Sequence, residues 1–191
     1  TVLPITFDIA EAQDYYNILC RDFQHLKWKM PEIGFQDSHE EIIPSITGWA
    51  ILTPGDINEP HCMLYDTDIQ GRHLAKETPC AFGFAKKLLD TFPTAFRMYV
   101  SVNSPGVEIA PHVDNENFPR RFYKIIIPVL SNDKAIWSFD DGDMHLALGN
   151  VYLIDTFLNK HGTNNQGDTD RVHFMFEIFE EDLETVKNIS I

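Results

Sequence analysis

Residues 94–114 read TAFRMYVSVNSPGVEIAPHVD. The first ten alternate. Phe96, Met98 and Val100 fall on one face and Arg97, Tyr99 and Ser101 on the other, the period of a strand with unlike surroundings on its two sides. Ser104-Pro105-Gly106 turns the chain, and VEIAPHVD sets out again. The runs RFYKIIIPVL, AIWSF, MHLAL, VYLID and RVHFMFEIF follow, separated by Asn-, Asp- and Gly-rich turns. Seven short strands in about 85 residues, with helices ahead of them, predict a mainly β fold with flanking helices. An antiparallel barrel or jelly roll fits this pattern better than a parallel α/β sheet. Apolar alternation is imperfect because both faces of such a barrel meet something, core or helices outside and a cavity inside.

Upstream, FDIAEAQDYYNILCRDF reads as a helix. Asp8 is its cap, Glu11 completes a capping box, and Ile9, Ala12, Tyr16, Leu19 and Phe23 recur at helical spacing. TPCAFGFAKKLLDTF reads as a second, with Thr78 as cap, Pro79 at the first helical position and Pro93 beyond its end. The acidic stretch EEDLETVKN reads as a solvated terminal helix.

The bulk numbers bound the rest. A chain of 191 residues suits a single domain, 1–191, with a sizeable core. Within it, residues 1–93 read as a helical and strand part packed on the barrel, and residues 94–179 as the core carrying the site. There is no repeat, low-complexity tract or linker-like stretch. A net charge of -14 repels phosphate backbones and anionic lipid, so neither nucleic acid nor membrane is expected as a partner. No apolar run approaches the roughly 20 residues of a membrane span, and TVLPITFDIAEAQ does not read as a signal peptide. Cys20, Cys62 and Cys80 are odd in number and widely spaced, which fits a reducing, cytoplasmic setting.

The chemistry begins at His112 and Asp114. Residues two apart on a strand share a face, so an imidazole and a carboxylate project together while Val113 points away. The dyad alone does not decide, since a strand end with a turn aspartate gives the same letters. VYLIDTFLNKHGTNNQGD adds His161 just after a strand, next to Gly162. Two histidines and a carboxylate make a facial triad that leaves three positions of an octahedral ion open. That suits Fe(II) holding both an organic ligand and dioxygen. A structural zinc site wants four closed ligands, usually with cysteine, and no cysteine lies near these residues in sequence. Arg171 opens RVHFMFEIF, sharing a face with His173 and Met175. A buried arginine facing a metal cavity needs an anion matched to its planar fork. The competing reading is a surface pair with Asp168 or Asp170.

With these residues in place the chain resembles the double-stranded β-helix Fe(II)/2-oxoglutarate oxygenases, a jelly-roll, cupin-like fold. Within them it is most similar to the aspartyl/asparaginyl β-hydroxylase-like group. The resemblance rests on His112-Val113-Asp114, on GNVYLIDTFLNKH ending at His161, on Arg171, and on SVNSPGVEIAPH, which reproduces the group's spacing of Ser101, Pro105-Gly106 and Pro111-His112. It covers roughly residues 94–179, nearly half the chain. It implies that His112, Asp114 and His161 bind Fe(II), that Arg171 pairs with the distal carboxylate of 2-oxoglutarate and Ser101 hydrogen-bonds it, and that O2 takes the remaining position. It implies a dioxygenase that hydroxylates an unactivated C–H bond. Some members of the group lack the carboxylate ligand, and halogenating relatives put a small residue there to admit halide, so Asp114 points to hydroxylation. The transmembrane segment and large helical extensions of the membrane-bound members are not seen in this chain, so their protein-domain substrates are not expected.

Beside that resemblance, FPRRFYK places Arg121 and Tyr123 on one strand face and Arg120, Phe122 and Lys124 on the other. Cations next to an iron centre in an acidic protein suggest a carboxylate-bearing small molecule or peptide residue as substrate, held in part by Arg121. The alternative is a solvated basic edge. Asp140, Asp141, Asp143 and His145 in SFDDGDMH read as a hairpin rather than a Ca²⁺ loop. His61, Cys62, His73 and Cys80 lack paired zinc spacing. Trp28, Trp49 and Trp137 read as core or cavity wall, and His173 as a hydrogen-bonded core histidine. A second class of function stays open, a non-redox cupin-like barrel that binds a metal and a small acid, as sensor or isomerase. Oligomeric state is not readable.

Overall fold

The structure, a computed structural model, describes residues 1–29, 46–53, 75–114 and 120–189. The chain there runs β1 (Val2–Thr6), α1 (Ile9–Asp22), β2 (Trp28–Lys29), β3 (Ile46–Thr53), β4 (Lys76–Glu77), α2 (Gly83–Thr91), β5 (Arg97–Asn103), β6 (Glu108–His112), β7 (Phe122–Leu130), β8 (Ala135–Phe139), β9 (Gly142–Met144), β10 (Asn150–Ile154), β11 (His161–Asn165), β12 (Arg171–Phe179) and α3 (Leu183–Lys187). Two antiparallel sheets form a jelly roll. The larger has the order β1-β10-β7-β12-β5-β3-β2, with β4 on β3, and the smaller the order β6-β11-β8-β9.

The large sheet separates two environments through the strand period. On its outer face lie Val100 and Val102 of β5, Phe174 and Phe176 of β12, Ile125 and Ile127 of β7, and Trp49 and Ile51 of β3, all in the main apolar core. Helices α1 and α2 cover that face. Tyr15 of α1 and Phe84 of α2 both meet Phe174, with ring centroids at 5.4 and 5.3 Å, and Phe92 meets Phe176 at 4.6 Å. The inner face turns toward the small sheet. There Ile126, Met175, Tyr152 and Ile154 pack with Trp137 in a separate, smaller apolar cluster.

Helix α1 starts where its sequence says. Asp8 accepts from the N–H groups of Ala10 and Glu11 at 2.9 and 3.4 Å. Helix α2 starts later than Pro79. The Thr78 hydroxyl is a turn group, accepting from the Cys80 N–H at 3.1 Å and donating to the Ala50 carbonyl at 2.6 Å. Gly83 has φ +51°, a left-handed conformation that keeps a helix from running through it. MHLAL is not a strand beyond Met144, because β9 closes a short hairpin on β8 through Asp140 and Asp141, pairing Gly142 with Phe139. Strand β11, HGTNN, lies in a segment with no apolar alternation to announce it. No helix among the described residues is long and apolar enough to cross a membrane.

Candidate metal centre

The site sits where the small sheet meets the inner face of the large one. β6 and β11 pair antiparallel, with His112 directly opposite His161. Gly162 permits that approach, since a Cβ there would come within 2.8 Å of the Ile109 carbonyl oxygen. Asp114 lies two residues beyond His112, tied by its N–H to the Thr156 carbonyl at 2.8 Å. The three side chains converge. His112 Nε2 is 3.3 Å from Asp114 Oδ1, His161 Nε2 is 3.7 Å from Asp114 Oδ2, and the three donor atoms lie within 4.8 Å of one another. Nδ1 of His112 lies 2.9 Å from the Ala110 carbonyl and Nδ1 of His161 3.2 Å from that of Asn159. A carbonyl only accepts, so each Nδ1 carries a proton and Nε2 is the nitrogen that each ring turns to the site.

Burial and charge shape this centre. Burial pushes His161 down to about 4, so its imidazole is neutral at pH 7. Burial alone would raise Asp114, but the Lys124 ammonium, followed by His112 and His161, outweighs it and holds the carboxyl well below its usual range. Lys124 is itself buried on β7, its Nζ 2.5 Å from Asp114 Oδ2 and 3.9 Å from Glu177 Oε1. In RFYKIIIPVL it is a cation beside an apolar run, and the packed sheet turns it inward.

A polar chamber continues from the triad past Trp137. The Trp137 ring stacks on His161 (5.7 Å, 14°) and on His173 (6.5 Å, 14°), and the Arg171 guanidinium lies 5.7 Å from it. Arg171 is 3% exposed, opposite Asn103 on β5, rather than at the surface with Asp168 or Asp170. Its Nη1 has no hydrogen-bond partner, and burial pushes its pKa down to about 10. Ser101 pairs across the strands with His173, and its hydroxyl donates to Asn103 Oδ1 at 3.3 Å. His173 is not the hydrogen-bonded core histidine expected, because neither ring nitrogen has a partner. Asn103 Nδ2, Trp137 Nε1 and Thr163 Oγ1 are likewise buried without partners. Buried polar groups are seldom left so.

Arg121 stands apart from these residues. It shares the outward face with Tyr123, and its guanidinium is engaged by Asp155 and, at 2.8 Å, by Glu180. The set of β7 that faces the site is Phe122, Lys124 and Ile126. Arg120 lies over the Phe179 ring and pairs with Glu181. His61, Cys62 and His73 lie outside the described residues. Cys20 and Cys80 are free thiols.

His173 is held well below the ordinary histidine range, by burial first and then by Arg171 and His145. In the absence of metal this gives an acid sensitivity. Between pH 6.5 and about 4 the unfolded chain binds a proton at His161 that the folded chain does not, and the lowered His173 acts in the same direction. Stability is therefore expected to fall on acidification below about pH 6.5, by up to about 1.4 kcal/mol per pH unit for each histidine. Thermal melts between pH 7 and 5 check this. His173→Phe should shallow the fall, and an unchanged slope would remove His173 from the account.

Two imidazoles and a carboxylate converging inside a jelly roll give a donor set that can hold a metal ion. More narrowly, the chain belongs to the Aspartyl/Asparaginyl beta-hydroxylase family, whose model matches residues 50–181 and so extends well upstream of the motif region. A search of curated proteins finds no match. Solved structures with partial similarity include a predicted oxalate decarboxylase from Thermotoga maritima, 18% identical over 51% of this chain and 76% of that one, with a TM-score of 0.37. A Cupin 2 conserved barrel domain protein from Salinispora arenicola is 17% identical over 47% and 68%, with a TM-score of 0.34. At these scores neither bears on the reading of the site.

Proposed function

We propose that the protein is an Fe(II)- and 2-oxoglutarate-dependent dioxygenase that hydroxylates an unactivated C–H bond of a small substrate, an amino acid or a peptide residue. The observation that carries this reading is the buried, incompletely partnered guanidinium of Arg171, across Trp137 from three converging metal donors. His112, Asp114 and His161 would hold the ion. Their donor set, two neutral imidazoles and one carboxylate, is the facial arrangement that leaves positions open. Bound Fe(II) would activate O2, with 2-oxoglutarate converted to succinate and carbon dioxide as the C–H bond is hydroxylated.

The chain's own residues supply the rest. Arg171 and Ser101 receive the distal carboxylate, the guanidinium gaining the partner it lacks. Trp137 forms the wall between that anchor and His161 and keeps the chamber narrow. The carbonyls of Ala110 and Asn159 hold the two imidazoles in the metal-ready tautomer. Arg121, engaged by Asp155 and Glu180, is left out of the substrate assignment.

The test is anaerobic addition of Fe(II) and 2-oxoglutarate, which should give a weak visible charge-transfer band, followed by O2 and ascorbate, which should give succinate. His161→Ala should lose both, with divalent-metal affinity down at least about 100-fold. Metal uptake with neither band nor succinate would return the protein to a non-redox metal- and acid-binding role.

A further inference from the structure

A row of four charges crosses the inner face and ends on the site. Arg97 of β5 stands opposite Glu177 of β12, and Glu177 opposite Lys124 of β7. Arg97 grips Glu177 with two bonds, from Nε to Oε2 and from Nη2 to Oε1, each 2.7 Å. Lys124 lies 3.9 Å from the same carboxylate and donates to Asp114 Oδ2 at 2.5 Å. Glu177 is fully buried and Lys124 nearly so. Among the described residues, cations and anions alternate along the row. Apolar side chains fill the next inward positions of β7 and β12, Ile126 and Met175. Continuing them through Lys124 and Glu177 would cost less than four desolvated charges. Stability therefore does not account for the row, and its end point does.

We propose that Lys124 is a positioning and charge-setting residue: its ammonium fixes one oxygen of Asp114 and cancels that ligand's charge, so that a divalent ion on the triad keeps both positive charges for an anionic chelating ligand. An imidazole that ligates through Nε2 does so as a neutral ligand, so the two histidines add no charge. Arg97 makes two bonds to Glu177, and Lys124 lies nearer to Asp114, at 2.5 Å, than to Glu177, at 3.9 Å. The arrangement selects ligands that bring negative charge to the metal and disfavours neutral ones. It rests on the triad as a metal site, but not on the identity of the co-substrate.

The test uses Co(II) as a visible probe ion and oxalate as a chelating dianion that needs no arginine. Three variants separate charge from geometry. Lys124→Gln keeps a donor to Asp114 without the charge, Lys124→Met keeps neither, and Lys124→Arg keeps the charge. Co(II) affinity and the affinity of the Co(II)-loaded protein for oxalate are measured from the d–d bands. K124Q is expected to bind Co(II) at least as tightly as wild type, having lost a like charge beside the ion, yet to bind oxalate at least about tenfold more weakly. K124R should recover oxalate binding. K124M should shift the Co(II) spectrum as the carboxylate loses its anchor. If K124M does not fold, as judged by circular dichroism, K124Q decides alone. A Co(II)-loaded K124Q that binds oxalate as wild type does overturns the inference and leaves the metal site standing. A wild-type protein that takes up no Co(II) overturns the triad and this inference together.

Discussion

Arg171→Met should raise the melting temperature of the ligand-free protein and, at the same time, remove its use of 2-oxoglutarate. The wild-type guanidinium is buried at the start of β12 with Nη1 unpartnered, and burial depresses its pKa to about 10. A buried cation without a counter-ion is destabilising, and an apolar side chain of similar reach relieves it. The gain expected is about 1–3 kcal/mol, of the kind seen when a strained functional group is removed. The loss is larger. A fully desolvated arginine–carboxylate pair is bidentate and charge-assisted, and truncating one side costs roughly 2–5 kcal/mol. KM for 2-oxoglutarate should therefore rise by about 30- to 5,000-fold, with Co(II) binding at the triad unchanged. Thermal melts and succinate assays across 2-oxoglutarate concentration check both halves. A variant with wild-type KM would detach Arg171 from the co-substrate.

Gly48→Ala is expected to prevent accumulation of the folded protein. Gly48 faces Trp28 on β2 and Ser101 on β5. A Cβ there would lie 1.8 Å from the Val100 carbonyl oxygen and 2.7 Å from Trp28 Cζ2. The first contact is with backbone, so no side-chain rotation relieves it. β3 would have to leave β5, opening the wall beside Ser101 and releasing the indole that rests against Tyr99. Overpacking by a methyl commonly costs about 1–3 kcal/mol, and a clash with a paired strand belongs at or above the top of that range. Soluble yield and the urea midpoint measure the effect. A G48A protein that melts within a few degrees of wild type would show that β3 has slack the register does not suggest.

The parts of the fold readable from the chain are those where one side chain period dominates. RVHFMFEIF matches β12 residue for residue, and AIWSF matches β8, because β-branched and aromatic residues run unbroken between turns. Helix α1 was readable through Asp8 and its apolar stripe. β11 was not, because HGTNN has no β propensity and pairs through what its neighbours require, a glycine over Ile109 and polar groups facing a chamber. The start of α2 was misread because Thr78-Pro79 looks like a cap, whereas the decisive residue is Gly83 four places on. His112 and Asp114 are legible from strand alternation and His161 and Arg171 from their place downstream, whereas Ser101 is named only through the family resemblance. Lys124 and Glu177 could not be joined to them, because the contact between β7 and the end of β6 is a tertiary one that no local pattern encodes. Arg121 and Lys124 are inseparable in the sequence for the same reason, as they fall on opposite faces of β7 and only the packed sheet decides which set turns inward.

All nine residues of β12 are buried, yet the two faces of the strand are unlike. Val172, Phe174, Phe176 and Ile178 all belong to the helix-covered core. On the other face Arg171 and His173 lie beside Trp137, Met175 joins the small apolar cluster, Glu177 meets Arg97 and Lys124, and Phe179 packs with Phe96 and Phe122. In evolutionary terms the strand is modular at single-residue grain. Selection can alter positions 171 and 173 while the even-numbered ones keep the barrel folded, so a descendant can change its interior chemistry without rebuilding its scaffold.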